Sequence, residues 1–287
     1  MPGCLEQLTT ATAACPYARP SFLILGAQKA GTSALHSYLS AHPQIVPARE
    51  KEVCYFDQDC LYELGTEWYL RHFPLLADLG TNKVTFESTP EYICSSKAPA
   101  RIFAFDRHMK LIVLLRNPVA RAYSAWNMFR TLIESQPEYL RSLLPTCDPP
   151  LQEWFDAILS SDLFPDFAKA VAEEIERIAS GSTTVYPDFV RRGFYYDQLL
   201  RYFDYFDRSQ FAIIHSEDLR AHTNEVLSTL SSFLGLPLHA WDRTEPLLIH
   251  VGQYQDQLTS DTRALLRDFY GPHNERLYSM LGRDLAW

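Results

Sequence analysis

Residues 21–40 constrain the fold more than any other segment. A short apolar run at 21–25 has the character of a buried strand. It runs directly into Gly26-Ala27-Gln28-Lys29-Ala30-Gly31-Thr32-Ser33 and then a helical pattern to about residue 40, with Leu35 and Leu39 on one face. His42-Pro43 ends that helix, because the residue before a proline is steered out of helical backbone. Strand, glycine-bounded turn and helix form the first half of a parallel α/β unit. Such a turn is also an anion cradle: successive backbone N–H groups at a helix N-terminus hold a phosphate, and the helix dipole favours its charge. A nucleotide triphosphatase loop places lysine directly after the second glycine. Here Thr32 stands at that place and the lysine is Lys29, inside the turn. Its charge is then aimed at the bridge between the bound phosphate and whatever leaves it. The plain alternative is a glycine turn with a solvated lysine.

Two further units follow. Residues 110–115 predict a buried strand, then Arg116-Asn117-Pro118 and a helix to about residue 129, with Pro118 in its first turn where a missing N–H costs nothing. Arg116 at the strand end and Ser124 two helical turns later suit a grip on one phosphate. A strand at 211–214 leads through His215-Ser216-Glu217-Asp218 to a helix at 224–234, stopped by Gly235 and Pro237. Two helices, 260–270 and 274–281, are expected on either side of Gly271-Pro272. Residues 134–192 differ in character, with 11 Asp/Glu against five Lys/Arg and six of the 18 prolines. One clear helix, 166–179, is expected there, with Phe167, Val171, Ile175 and Ile178 on one face and Glu173 paired to Arg177. The expected architecture is a single α/β domain over 21–287 with a central parallel sheet and flanking helices. An acidic helical insertion at 134–192 covers its site, and a flexible tail, 1–20, precedes it.

Composition narrows the function. With 47% hydrophobic and 21% charged residues the chain is globular and not intrinsically disordered. No apolar run approaches the roughly 18 residues needed to cross a bilayer, and residues 1–20 lack the order of an export signal, so no membrane partner is expected. Six cysteines without metal or disulfide spacing read as free thiols in a reducing cytoplasm. The nine histidines show no ligand spacing, so no metal is expected. The net charge of −9 argues against nucleic acid or a sulfated polysaccharide, because polyanions need clustered Lys/Arg.

The stretch Phe22-Leu23-Ile24-Leu25-Gly26-Ala27-Gln28-Lys29-Ala30-Gly31-Thr32-Ser33-Ala34-Leu35 resembles the 5′-phosphosulfate loop of sulfotransferases that use 3′-phosphoadenosine 5′-phosphosulfate (PAPS). Leu114-Leu115-Arg116-Asn117-Pro118-Val119-Ala120-Arg121-Ala122-Tyr123-Ser124 resembles their 3′-phosphate motif. Glu52-Val53-Cys54-Tyr55-Phe56-Asp57, Phe86-Glu87-Ser88-Thr89-Pro90-Glu91-Tyr92, Arg192-Gly193-Phe194-Tyr195 and Leu281-Gly282-Arg283-Asp284-Leu285-Ala286-Trp287 are similar to segments of the heparan-sulfate-sulfotransferase-like branch, which includes bacterial small-molecule enzymes. Three departures stand out: Cys54 replaces a histidine, Ser88 replaces a lysine, and Ile249-His250-Val251-Gly252-Gln253-Tyr254 stands where a Lys-Gly-Arg loop is expected.

The resemblance implies PAPS as donor and 3′-phosphoadenosine 5′-phosphate (PAP) as product. Gln28, Lys29, Ala30, Gly31, Thr32 and Ser33 would hold the 5′ end, and Arg116 and Ser124 the 3′-phosphate. Lys29 would stabilise the leaving phosphate and Glu52 would act as base; an ion pair of Glu52 with Lys51 or Arg49 is its bland reading. Glu87 and Tyr92 are further candidates, either touching the acceptor or bracing the loop. The expected acceptor is a small neutral or cationic molecule with a hydroxyl or amine, such as a guanidinium-bearing natural product. Two other readings fit the loop. One is a nucleotide or sugar kinase with Glu217-Asp218 as its metal-binding acids; the other is a nucleotide-binding protein without catalysis.

Overall fold

Burial at all five positions makes β1 (Phe22–Gly26) the centre of the molecule. A strand without a polar face needs cover on both sides, which is the condition of a parallel sheet within an α/β layer. In the computed structural model, which describes residues 15–143, 149–161, 164–182, 186–237, 239–241 and 257–287, β1 lies between β3 (Val84–Ser88) and β4 (Lys110–Leu115). β2 (Ile45–Pro47) and β5 (Phe211–His215) form the edges, all pairs are parallel, and the order is β2-β3-β1-β4-β5. The single α/β domain with a central parallel sheet is therefore as expected.

The helices in chain order are α1 (Thr32–Ser40), α2 (Asp59–Tyr62), α3 (Gly65–Leu70), α4 (Leu76–Leu79), α5 (Ala98–Phe105), α6 (Pro118–Ser135), α7 (Pro137–Leu143), α8 (Pro149–Ser161), α9 (Phe167–Ala179), α10 (Tyr195–Phe203), α11 (Ser216–Ala221), α12 (Thr223–Leu234) and α13 (Ser260–Leu281). One apolar core joins the sheet to Leu35 and Leu39 of α1, Ile102 of α5, Leu199 and Tyr202 of α10 and Leu227 of α12. A second core lies between α6, α9 and α13, built on Ala122, Trp126, Val171, Leu266 and Tyr270. The acidic segment is anchored there, on the helix that follows β4.

Several expectations need correcting. Residues 15–20 are not loose: Ala18 is buried, its N–H donates to the Pro74 carbonyl at 2.8 Å, and Tyr17 bridges Leu75. Residues 1–14 lie outside the described residues. Gly271-Pro272 does not divide the last helix; α13 runs through Pro272. Leu266 and Tyr270 before it and Asn274 and Leu277 after it are all buried, and this packing holds the helix across the missing N–H. In 134–192, prolines open helices as well as break them: Pro137 and Pro149 are the first residues of α7 and α8. The expected helix 166–179 forms as α9, with Asp166 as its N-cap accepting from the N–H groups of Ala168 and Lys169 at 2.9 and 3.2 Å. Glu173 pairs with Lys169 rather than Arg177, whose guanidinium donates to the Pro187 carbonyl at 3.3 Å.

Because every strand points the same way, the loops after all five carboxyl ends meet along one edge. The chain leaves β1 toward β2 and later returns to β1's other side at β4. Open α/β sheets bind ligands at such a reversal.

Candidate active site

The 26–33 loop is shaped by what its carbonyls do. The Ala27 N–H donates to Leu114 of β4 at 2.8 Å, which ties the loop to the neighbouring strand. The Lys29 carbonyl accepts from Arg116 Nη1 at 2.8 Å, and the Ala30 carbonyl accepts from Ser216 Oγ at 2.8 Å. With these oxygens engaged by Arg116, just after β4, and Ser216, at the start of α11, the amides entering α1 are left for a ligand: Gly31 caps the helix at φ 103, and no side chain caps it. Gly26 is required by close approach. A Cβ there would lie 2.6 Å from Ile93 Cγ2 and 2.7 Å from the Pro90 carbonyl oxygen. Lys29 adopts a left-handed φ of 68, which costs a non-glycine residue about 1–2 kcal/mol. Such a residue persists where its surroundings over-determine it, and the Arg116 and Ser216 contacts do so here.

Lys29, Arg116 and Glu52 share one electrostatic environment. Burial, then the neighbouring Arg116 charge, holds the Lys29 ammonium below its ordinary range, while Glu52 pulls it back up. A lysine so placed gains from an arriving anion. Glu52 also has a left-handed φ, of 66, and its N–H donates to the Ser88 carbonyl at 3.1 Å, which fixes it beside the end of β3. Its half-exposed carboxylate pairs with Lys51. The ion pair and the approach to Lys29 thus hold together in one residue. Thr32 and Ser124 are buried, Ser33 is half-buried, and Ser124 lies on α6 beyond the Asn117 cap, whose side chain accepts from Val119 and Ala120 at 3.0 and 3.1 Å.

Glu87 and Tyr92 belong to the bracing role and not to the acceptor. Both are fully enclosed. Glu87 accepts from Tyr92 at 2.6 Å, Thr89 at 2.7 Å and Tyr69 at 3.0 Å, and burial raises its carboxyl above the usual range against those three bonds. Tyr92 Oη in turn accepts from the Tyr55 N–H at 3.0 Å, so the cluster fixes the segment that carries Glu52. Of the acids of the kinase reading, Asp218 pairs with Arg283 at 2.7 Å. Glu217 Oε2 lies 2.7 Å from His215 Nε2, but that nitrogen accepts the Trp287 indole N–H, and Oε2 has no hydrogen-bond partner among the described residues. Residues 249–254, the departure near the C-terminal part, lie outside the described residues.

Three residues around the loop carry no expectation from sequence. His36 of α1 is one, lying against Phe86 with ring centroids 4.9 Å apart. Burial and the Lys51 charge push His36 down to about 4. The others are Glu91 and Arg192, paired with each other. Both stand in segments similar to family pieces, but a contact between residues so far apart in the chain leaves no periodic signal.

The sulfotransferase domain family matches residues 19–264 of the chain. The solved structure of a sulfotransferase from Alicyclobacillus acidocaldarius is similar at a TM-score of 0.67 and 25% identity, covering 94% of this chain and 98% of that one. The membrane-associated sulfotransferase kil1 of Dictyostelium discoideum is 26% identical over 93% of this chain, which spans 66% of that protein's length. Human heparan sulfate glucosamine 3-O-sulfotransferase 6 is 29% identical, with 93% of this chain and 73% of that enzyme covered. The phosphate loop, the Arg116 contact and the five-stranded parallel sheet all fall within the matched region, and the chain belongs to the PAPS-dependent sulfotransferase family.

Proposed function

We propose that this chain transfers a sulfuryl group from PAPS to a hydroxyl or amine of a small, neutral or cationic acceptor and releases PAP. The observation that carries this reading is the meeting of Lys29, Arg116 and Glu52 at the carboxyl edge of the sheet, with Lys29 coupled to both neighbours. The fit to the donor rests on the uncapped N-terminus of α1 and the desolvated lysine beside it. The amides of residues 31–33 hold the 5′-phosphate, while the Ala30 N–H donates to the Ala27 carbonyl at 3.0 Å and the Gln28 side chain is turned to Glu91; Arg116 with Ser124 holds the 3′-phosphate. Lys29 Nζ meets the negative charge that grows on the bridging oxygen as the S–O bond breaks. Glu52, reachable from solvent beside Lys51, takes the proton of the attacking hydroxyl or amine.

The acceptor's charge is read from the insertion, whose 11 acidic against five basic residues favour a cation and repel a sulfated chain. The proposal retains the cytoplasm as the setting, supported by free thiols at Cys15, Cys54, Cys60 and Cys94. No described helix is long and apolar enough to cross a membrane.

The test is a mass-spectrometric screen for sulfated products over amine and hydroxyl metabolites with PAPS. For a cationic acceptor the Michaelis constant should rise with ionic strength, because salt screens the attraction. Sulfation of heparan-like oligosaccharides, with none of cationic or neutral small molecules, would overturn the acceptor class.

A further inference from the structure

The phosphate loop is tied to the rest of the protein at a point that neither donor chemistry nor the base explains. The Gln28 side chain, next to Lys29, donates from Nε2 to Glu91 Oε1 at 3.2 Å. Glu91 is held in turn by Arg192, whose Nη1 lies 2.7 Å from each of its carboxylate oxygens. Arg192 is buried, and its Nε donates to Asp188 Oδ2 at 2.6 Å, so a single planar guanidinium bridges two carboxylates. The turn that carries it is fixed from two further sides. Glu174 Oε1 of α9 accepts the N–H groups of Val190 and Arg191 at 2.9 and 2.8 Å. Gly193 is wedged so closely that a Cβ would lie 2.7 Å from the Tyr270 ring and 2.8 Å from Pro118 Cβ.

The chain of contacts therefore runs from the acidic insertion through Arg192 and Glu91 to the residue preceding Lys29. Arg116 fixes the Lys29 carbonyl and Ser216 the Ala30 carbonyl, while Gln28 is fixed through its side chain. Together the three contacts hold the left-handed backbone at Lys29 from both sides.

Resting on the sulfotransferase reading, we propose that Glu91 and Arg192 are positioning residues that hold the 5′-phosphate cradle in its binding geometry through the Gln28 side chain. They touch neither donor nor acceptor; their effect is felt only where the loop grips a phosphate.

The test uses two ligands in calorimetric titrations of the full chain: PAP, and adenosine 3′-monophosphate, which lacks the group the loop holds. Gln28→Ala and Glu91→Ala should each weaken PAP about tenfold, the scale of one hydrogen bond to a charged group. Adenosine 3′-monophosphate should change by no more than about twofold, and the double variant should bind PAP no worse than the weaker single one. Arg192→Lys keeps the charge but not the fork, and should show the same selective loss. If Glu91→Ala does not fold, Gln28→Ala and Arg192→Lys carry the comparison. Equal weakening of both ligands would mean a merely structural role. Additive losses would mean that Gln28 contacts the phosphate directly, and unchanged PAP binding would remove the role; each of these overturns the inference. A wild-type protein that does not prefer PAP over adenosine 3′-monophosphate would overturn the sulfotransferase reading itself, and this inference with it.

Discussion

Glu174 offers a perturbation whose size follows from the structure. Its side chain is 2% exposed, and one oxygen accepts two backbone N–H groups while the other, Oε2, has no hydrogen-bond partner among the described residues. Burial is the largest influence on its carboxyl, moving it from 4.5 to about 7, against the opposing pull of the Arg191 and Val190 N–H groups; Asp188 adds to the rise and Arg121 subtracts. The folded state thus holds its proton more tightly than the unfolded chain. The associated stability is fully present below about pH 4.5 and is lost as pH rises through about 7. A change of that size is worth roughly 3 kcal/mol. Glu174→Gln replaces the carboxyl with a permanently neutral group of the same shape, whose oxygen can still accept both N–H groups. Urea unfolding of the two proteins should agree at about pH 4, and by about pH 8 the variant should be the more stable by roughly 3 kcal/mol. A difference that does not vary with pH, or a wild type that gains on the variant as pH rises, would refute the assignment of a buried, proton-holding Glu174.

Lys29→Ala should leave the melting temperature nearly unchanged, since the residue is on a loop, yet abolish sulfuryl transfer while PAP still binds measurably through the amides; near-normal turnover would remove Lys29 from the leaving group. Gly26→Ala should cost about 3 kcal/mol or more and weaken PAP, because its Cβ would sit 2.7 Å from the Pro90 carbonyl oxygen. A stable variant with full PAP affinity would show that the strand-to-loop junction yields easily.

What sequence reveals here follows from how each feature is encoded. β4 is six consecutive residues, Lys110–Leu115, that pack on both faces, so apolar continuity alone marks its bounds. The Asp166 cap and the Gly235 stop of α12, at φ 74, are local chemistry and equally visible. α13 was legible in type but not in continuity, because Pro272 is tolerated only through burial of Leu266, Tyr270 and Leu277 against distant partners. The loop residues proposed to meet the phosphate are contiguous, so a single stretch of sequence carries them. Glu87 shows the opposite case: its place within a family-like segment leaves acceptor contact and bracing equally open, and only the packing of Tyr69, Thr89 and Tyr92 around it gives it a bracing role. Arg192, in the turn before α10, and Glu91, in the loop after β3, are 101 residues apart and find each other only in the folded chain.

The central claim, sulfuryl transfer from PAPS with Glu52 as base, is tested most directly by Glu52→Gln with isotopically labelled PAPS and an acceptor recovered from the screen, read alongside calorimetric PAP binding. The amide is nearly isosteric and cannot take a proton. The account predicts PAP affinity equal to wild type and label transfer reduced by about 10²–10⁴-fold. Wild-type transfer rates in the variant, or loss of PAP binding together with the rate, would contradict it.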